Sequence, residues 1–160
     1  MSTRATIWIK TETGHEGIYL HSDGYLSSAG AILLTHYADI DKIKELIQLG
    51  DISSLGAKLV PSTYSEHSFS NREDDTVVAY HRDRGDKISM MEIAKDNDFI
   101  DCDDEYRYVY DNGWTVTKLN EDTEELTEEL ILKEWNGIGY INKSFLEQIA
   151  NNVLNNIKSP

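Results

Sequence analysis

Cysteine is almost missing from this sequence: Cys102 stands alone among 160 residues. A single thiol excludes an internal disulfide framework and a cysteine-based zinc cluster, and such a chain suits a reducing compartment. Proline is nearly as scarce, with only Pro61 and Pro160. No linker and no repeat of useful period divides the chain, so the expectation is one domain over residues 1–160. No apolar run approaches the length of a membrane span. The N-terminus "MSTRATIWIKTETG" is interrupted by Arg4 and Lys10, unlike the apolar stretch of a secretion signal. These absences point to a cytoplasmic protein that does not enter a membrane.

Positive charge is also in deficit, with 15 Lys and Arg against 29 Asp and Glu and a formal net charge of −14. Between Asp96 and Glu129, 13 carboxylates face only Arg107 and Lys118. Such a surface repels nucleic-acid phosphates and argues against direct DNA or RNA binding. It reads as a solvated face that keeps the protein soluble, with imitation of nucleic acid as the alternative.

The signatures of several chemistries are lacking too. There is no GxSxG, and Asp101, Asp103 and Asp104 surround Cys102 with charge that opposes thiolate formation. His15, His21, His36, His67 and His81 form no HxH or HxxxH pattern, and "DNDFIDCDDE" lacks the glycine and ligand spacing of a calcium loop. The expectation is no metal, no cofactor and no covalent nucleophile. General-base chemistry by His21 or His81 stays open, because spatial partners are invisible in a sequence.

What is present is enough for one core, at 39% hydrophobic residues. "TRATIWI" alternates as a half-buried strand, with Ala5, Ile7 and Ile9 on one face and Thr6 and Trp8 on the other. "EGIYLHS" repeats the pattern after a turn and predicts a hairpin. Ile32, Leu33 and Tyr37 then fall at helical spacing. A second helix carries Ile40, Ile43, Leu46 and Ile47 on one face, with Asp39 as its cap and Gly50 as its end.

Residues 60–74 read as a long exposed loop, "TVVAYHR" as a third strand, and residues 88–105 show no clear period. "EYRYVYDNGWTVTKL" predicts a hairpin across Asn112-Gly113. Residues 120–135 fit either a helix or a strand. Ser144 and Glu147 make a capping-box pattern before Phe145, Ile149, Val153 and Ile157, which predicts a C-terminal amphipathic helix. The fold class expected is α+β: an antiparallel sheet of about five strands, two short helices after the second strand, and that C-terminal helix.

Three stretches carry candidate function. In "HSDGY" the turn at Asp23 and Gly24 could expose backbone N–H groups beside a helix start, where a phosphate rests, with His21 and Tyr25 against a base or ribose. The same residues make an ordinary tight turn. In "AYHRDRGD", Arg82 and Arg84 place forked donors beside Tyr80 and His81, unless Asp83 and Asp86 neutralise them. Tyr106, Tyr108 and Tyr110, with Trp114, form a one-face ladder that suits base stacking or, more ordinarily, a core.

"STRATIWI", "IYLHSDGYLSSAGAILLTHY", "ELIQLGDISSLG" and "TVVAYHRDRGD" together resemble a family of small proteins encoded by phages and prophages, over about the first 90 residues. Leu26 stands where that family carries a proline after His-x-Asp-Gly-Tyr. That family is uncharacterised, so the resemblance implies a phage genome context and no activity; by association with small phage proteins that counter host defence, the expectation is sequestration of a cyclic nucleotide or ADP-ribose derivative without chemistry. The expected ligand-binding set is His21, Asp23, Gly24, Tyr25, Tyr80, His81, Arg82 and Arg84. Arg4 joins it if the first strand lies beside the third. The alternatives are an acidic inhibitor of a host protein and a small hydrolase of such signals, and homo-oligomer formation is left open.

Overall fold

The computed structural model describes residues 3–62, 67–94 and 104–135. β1 (Ala5–Thr11) and β2 (Gly14–Leu20) form the expected antiparallel hairpin, with Ile7 opposite Ile18 and Trp8 opposite Gly17. Alternation sends Ala5, Ile7, Ile9, Ile18 and Leu20 to one face, all buried. Burial of each such isoleucine or leucine contributes roughly 1.5–3 kcal/mol.

That face is covered by helices. A π-helical turn over Leu26–Gly30 runs into α1 (Ala31–His36), and α2 (Ile40–Gln48) follows. Asp39 caps α2 by accepting from the Asp41 N–H at 3.0 Å, and Gly50, at φ +78°, follows its end. Ile43, Leu46 and Ile47 are buried as the spacing predicts, whereas Ile40, in the first turn, is exposed.

The sheet corrects the expected size and pairing. It has eight strands among the described residues and is mixed: from one edge, Val78–Ala79, Ile52–Ser54, β2, β1, Tyr106–Tyr110, Trp114–Lys118 and Thr123–Glu125, with Met91–Ala94 also on β2. β3 (Ile52–Ser54) runs parallel to β2, and β4 (Val78–Ala79) pairs with β3. β5 (Met91–Ala94) lies in the stretch without clear period and pairs antiparallel with β2. β6 (Tyr106–Tyr110) and β7 (Trp114–Lys118) form the predicted hairpin, with Asn112 at φ +56° and Gly113 at φ +149°. β6 then pairs parallel to β1. A parallel partner so far along the chain, Ala5 opposite Tyr106, leaves no local sign, so the expectation of an all-antiparallel sheet was an extrapolation from hairpins.

The predicted third strand is mostly a helix. Only Val78–Ala79 is extended, and Tyr80–Arg84 form α3. The Asp83 carboxylate reaches back to accept from the Ala79 N–H at 2.7 Å, and Gly85, at φ +84°, ends the turn. Residues 120–135 hold both alternatives in succession: β8 (Thr123–Glu125) on the sheet edge, then α4 (Glu128–Glu134), capped by Thr127. The loop of residues 60–74 is not simply exposed, since Pro61 and His67 are buried. The expected C-terminal helix lies outside the described residues. No described helix is long and apolar enough to cross a membrane.

On the second sheet face, Trp8 lies across Gly17, where a side-chain methyl would come within 3.0 Å of three indole carbons. Its Nε1 donates to Thr6 Oγ1 at 2.8 Å, and Thr6 donates to the buried Asp104 carboxylate. Arg107 closes the network on both Asp104 oxygens, at 3.1 and 3.2 Å. A buried carboxylate of this kind requires such partners.

Candidate functional site

A cavity of about 320 Å³ opens beside α3, lined by Asp51, Tyr80, His81, Arg84, Asp86, Lys87 and Ser89. Its size is at the small end of ligand pockets. The chain reaches it from three directions: the segment leaving α2, α3 itself, and the stretch that follows Gly85. Asp51 ties them together. Its N–H donates to Ser89 O at 2.7 Å, its C=O accepts from the Tyr80 N–H at 3.3 Å, and Oδ1 accepts from the Tyr19 N–H at 2.9 Å.

Arg84 is held on three sides. Its guanidinium lies 4.6 Å from the Phe69 ring centre and 4.9 Å from that of Tyr80, and the two rings are 5.6 Å apart. Nε and Nη2 donate to the two Asp86 oxygens at 2.9 and 2.5 Å. This pairing raises the arginine's pKa and lowers that of Asp86. Nη1 has no hydrogen-bond partner among the described residues, so one guanidinium edge stays available at the cavity. His81 Nδ1 lies 2.7 Å from Asp86 O, an atom that can only accept, so Nδ1 carries a proton and donates it there.

Arg82 does different work. Nη1 donates to Leu59 O at 2.5 Å, Nη2 to Val77 O at 2.7 Å and to Asp83 at 3.1 Å, and Nε to Asp83 at 3.0 Å. It braces backbone carbonyls and does not line the cavity. Burial works against the Asp83 charge, yet the bonds from Arg82 and the Ala79 N–H outweigh it, and the carboxyl sits below its ordinary range. His67 is buried against the same group, with Nε2 3.3 Å from Asp83 Oδ2 and Nδ1 accepting from the Glu73 N–H at 3.0 Å. The two arginines are thus neutralised in sequence by Asp83 and Asp86, the second of the two readings that their spacing allowed.

The "HSDGY" turn is built into the core and lies outside the cavity lining. His21 and Ser22 donate their N–H groups to Ile52 O and Ser53 O, and the Gly24 N–H donates to Thr3 O at 2.8 Å. Gly24 O accepts from the buried Tyr108 hydroxyl at 2.7 Å, and a Cβ at Gly24 would meet Ala5 and the Thr3 carbonyl. Asp23 takes φ +57°, and the half-buried Tyr25 precedes the π-helical turn. Backbone donors that could have met an anion at Gly24 are used within the fold.

His21 pairs with Tyr19, whose hydroxyl is 2.8 Å from its Nδ1 and whose N–H donates to the cavity's Asp51. Burial raises the Tyr19 pKa, Arg4 lowers it, and Tyr80 and Asp51 raise it. Of the two motifs, only the one that carries Tyr80 reaches Tyr19 electrostatically. Arg4 is exposed and extends β1, which is flanked by β2 and β6 and not by the segment of Tyr80.

The tyrosine ladder faces the helices. Tyr108 is fully buried, Tyr106 stacks on it at 6.3 Å between ring centres, and Trp114 donates from Nε1 to Tyr37 O at 2.8 Å. Asp51, Phe69, Lys87 and Ser89 had no sequence signal, since an aspartate after a helix-ending glycine and a phenylalanine in a serine-rich loop are ordinary there. Comparison with known proteins finds no family model, no curated protein and no solved structure that matches the chain.

Proposed function

We propose that this chain binds a small phosphate-bearing nucleotide in the cavity beside α3 and holds it without cleaving it. The supporting observation is the mixed lining. Lys87 and the Nη1 edge of the Asp86-paired Arg84 supply donors, Asp51 supplies an acceptor, and Tyr80, backed by Phe69, supplies an aromatic wall. A bare polyanion gains little from a cavity with equal numbers of cations and carboxylates. A molecule with phosphate at one end and hydroxyls or a base at the other matches both kinds of group. Within the phage setting that the sequence resembles, such binding amounts to sequestration of a cyclic-nucleotide or ADP-ribose-type immune signal.

The acidic-inhibitor reading draws on β8, where Thr123, Glu124 and Glu125 are all exposed on the sheet edge. Acidic residues there also serve to keep an edge strand from pairing with other chains, which suffices to account for them. The hydrolase reading draws on His81 Nε2 as a base.

The test is calorimetric titration of the purified protein with adenosine monophosphate, ADP-ribose and a cyclic dinucleotide, followed by denaturation and chromatography of the bound compound. Saturable binding with recovery of intact compound supports the proposal. Absence of binding by all three overturns it, and a processed product replaces storage with hydrolysis.

A further inference from the structure

We infer that Asp51 is the group that selects the sugar, accepting a hydrogen bond from a ribose hydroxyl, so that the cavity takes ribonucleotides in preference to analogues that lack both the 2′- and the 3′-hydroxyl. The inference rests on the nucleotide reading above and names its ligand class. Asp51 is fastened at three atoms: its N–H to Ser89 O, its C=O to the Tyr80 N–H, and its Oδ1 to the Tyr19 N–H. The remaining carboxylate oxygen, Oδ2, has no hydrogen-bond partner among the described residues, while the residue is half-buried and lines the cavity.

Oδ2 is open to the cavity and is not among the buried polar atoms that lack a partner, so a bound molecule's donor there takes the place of water on a carboxylate already held in one orientation. Lys87 and Arg84 line the same cavity and suit the phosphate of such a molecule, whose neutral hydroxyl is the donor for Oδ2. In a nucleotide, sugar hydroxyls and phosphate are attached to one small ring, so a cavity of about 320 Å³ with cations and a fixed carboxylate can engage both at once. Carboxylate acceptance from a ribose hydroxyl is an established mode of nucleotide recognition. A site built for a hydroxyl discriminates strongly against the analogue that lacks it, because its own polar group is left without a partner.

The experiment compares adenosine monophosphate with its 2′-deoxy and 2′,3′-dideoxy counterparts on the unaltered protein, then repeats the series on Asp51→Asn. Asparagine can keep the acceptor for the Tyr19 N–H while presenting an amide donor in place of Oδ2, so circular dichroism and melting should change little. The expected result is binding weaker by roughly 10- to 100-fold for the dideoxy compound, the weight of one charge-assisted hydrogen bond, with the preference abolished in the variant. Equal binding of all three compounds by the unaltered protein overturns the inference and leaves the nucleotide reading standing. Binding of none of them, nor of ADP-ribose and the cyclic dinucleotide, removes both. The comparison on the unaltered chain needs no substitution, so a variant that fails to fold does not spare the inference.

Discussion

Gly17→Ala should be among the most damaging small substitutions on the sheet. The added methyl falls within 3.0 Å of three carbons of the Trp8 indole, which is fully buried. The indole cannot swing aside without cost, because Nε1 donates to Thr6 Oγ1 and Thr6 in turn serves Asp104. Overpacking costs about 1–3 kcal/mol, and a lost internal hydrogen bond adds about 0.5–1.5 kcal/mol. The expected loss is therefore about 2–4 kcal/mol, a large share of the roughly 5–15 kcal/mol that stabilises a domain.

Urea denaturation read by tryptophan fluorescence and circular dichroism measures it, with an unchanged slope required for the comparison. A double-mutant cycle isolates the cause. In a Trp8→Leu background the clash partner is gone, and glycine to alanine within a strand should then be neutral or stabilising by about 0.5–1 kcal/mol. A loss below about 1 kcal/mol in the unaltered background, or the same loss in both, refutes the reasoning.

Arg82→Ala and Arg84→Ala should separate stability from binding. The first strips donors from Leu59 O and Val77 O and should lower stability by roughly 2 kcal/mol, while the second should leave the melting curve nearly unchanged and weaken nucleotide binding about tenfold or more. Tyr108→Phe orphans the Gly24 carbonyl and should cost about 1–3 kcal/mol in chemical denaturation. Lys58, the Ser62 N–H and Thr76 hold the Glu73 carboxyl down at about 2, below its ordinary 4.5. A depressed folded-state pKa gives stability above the unfolded value that is lost as pH falls through the folded one. Acid titration should show that loss between pH 4.5 and about 2, and Glu73→Gln should flatten it; parallel curves would refute the assignment. Neutralising Glu124, Glu125, Glu128 and Glu129 together should leave nucleotide affinity within twofold, whereas loss of binding would move the site to the acidic face.

The local elements were written in the sequence where one face of an element meets the core. Alternation in "TRATIWI" and "EYRYVYDNGW" and helical spacing from Ile43 to Ile47 identified β1, β6, β7 and α2, because burial imposes its period directly on the residues. Asp39, Gly50 and Asn112-Gly113 marked element ends through backbone requirements that are equally local. Tyr80–Arg84 misled because a short helix with no buried residue imprints no period, and its form depends on Asp83 reaching back to Ala79.

Partners distant in the chain were decided by the tertiary structure alone. The parallel pairing of β1 with β6 follows from packing the Ile7 and Tyr108 faces under one helical layer, a choice that no local window contains. The site divides in the same way. Tyr80, His81 and Arg84 were legible as a cluster of binding chemistry. Separating Arg84 from Arg82 required knowing that backbone carbonyls at Leu59 and Val77 occupy the one and the Phe69 and Tyr80 rings hold the other. Asp51 carried no signal at all, since its significance lies in three hydrogen bonds to Tyr19, Tyr80 and Ser89, residues that only the folded chain brings within reach of one another.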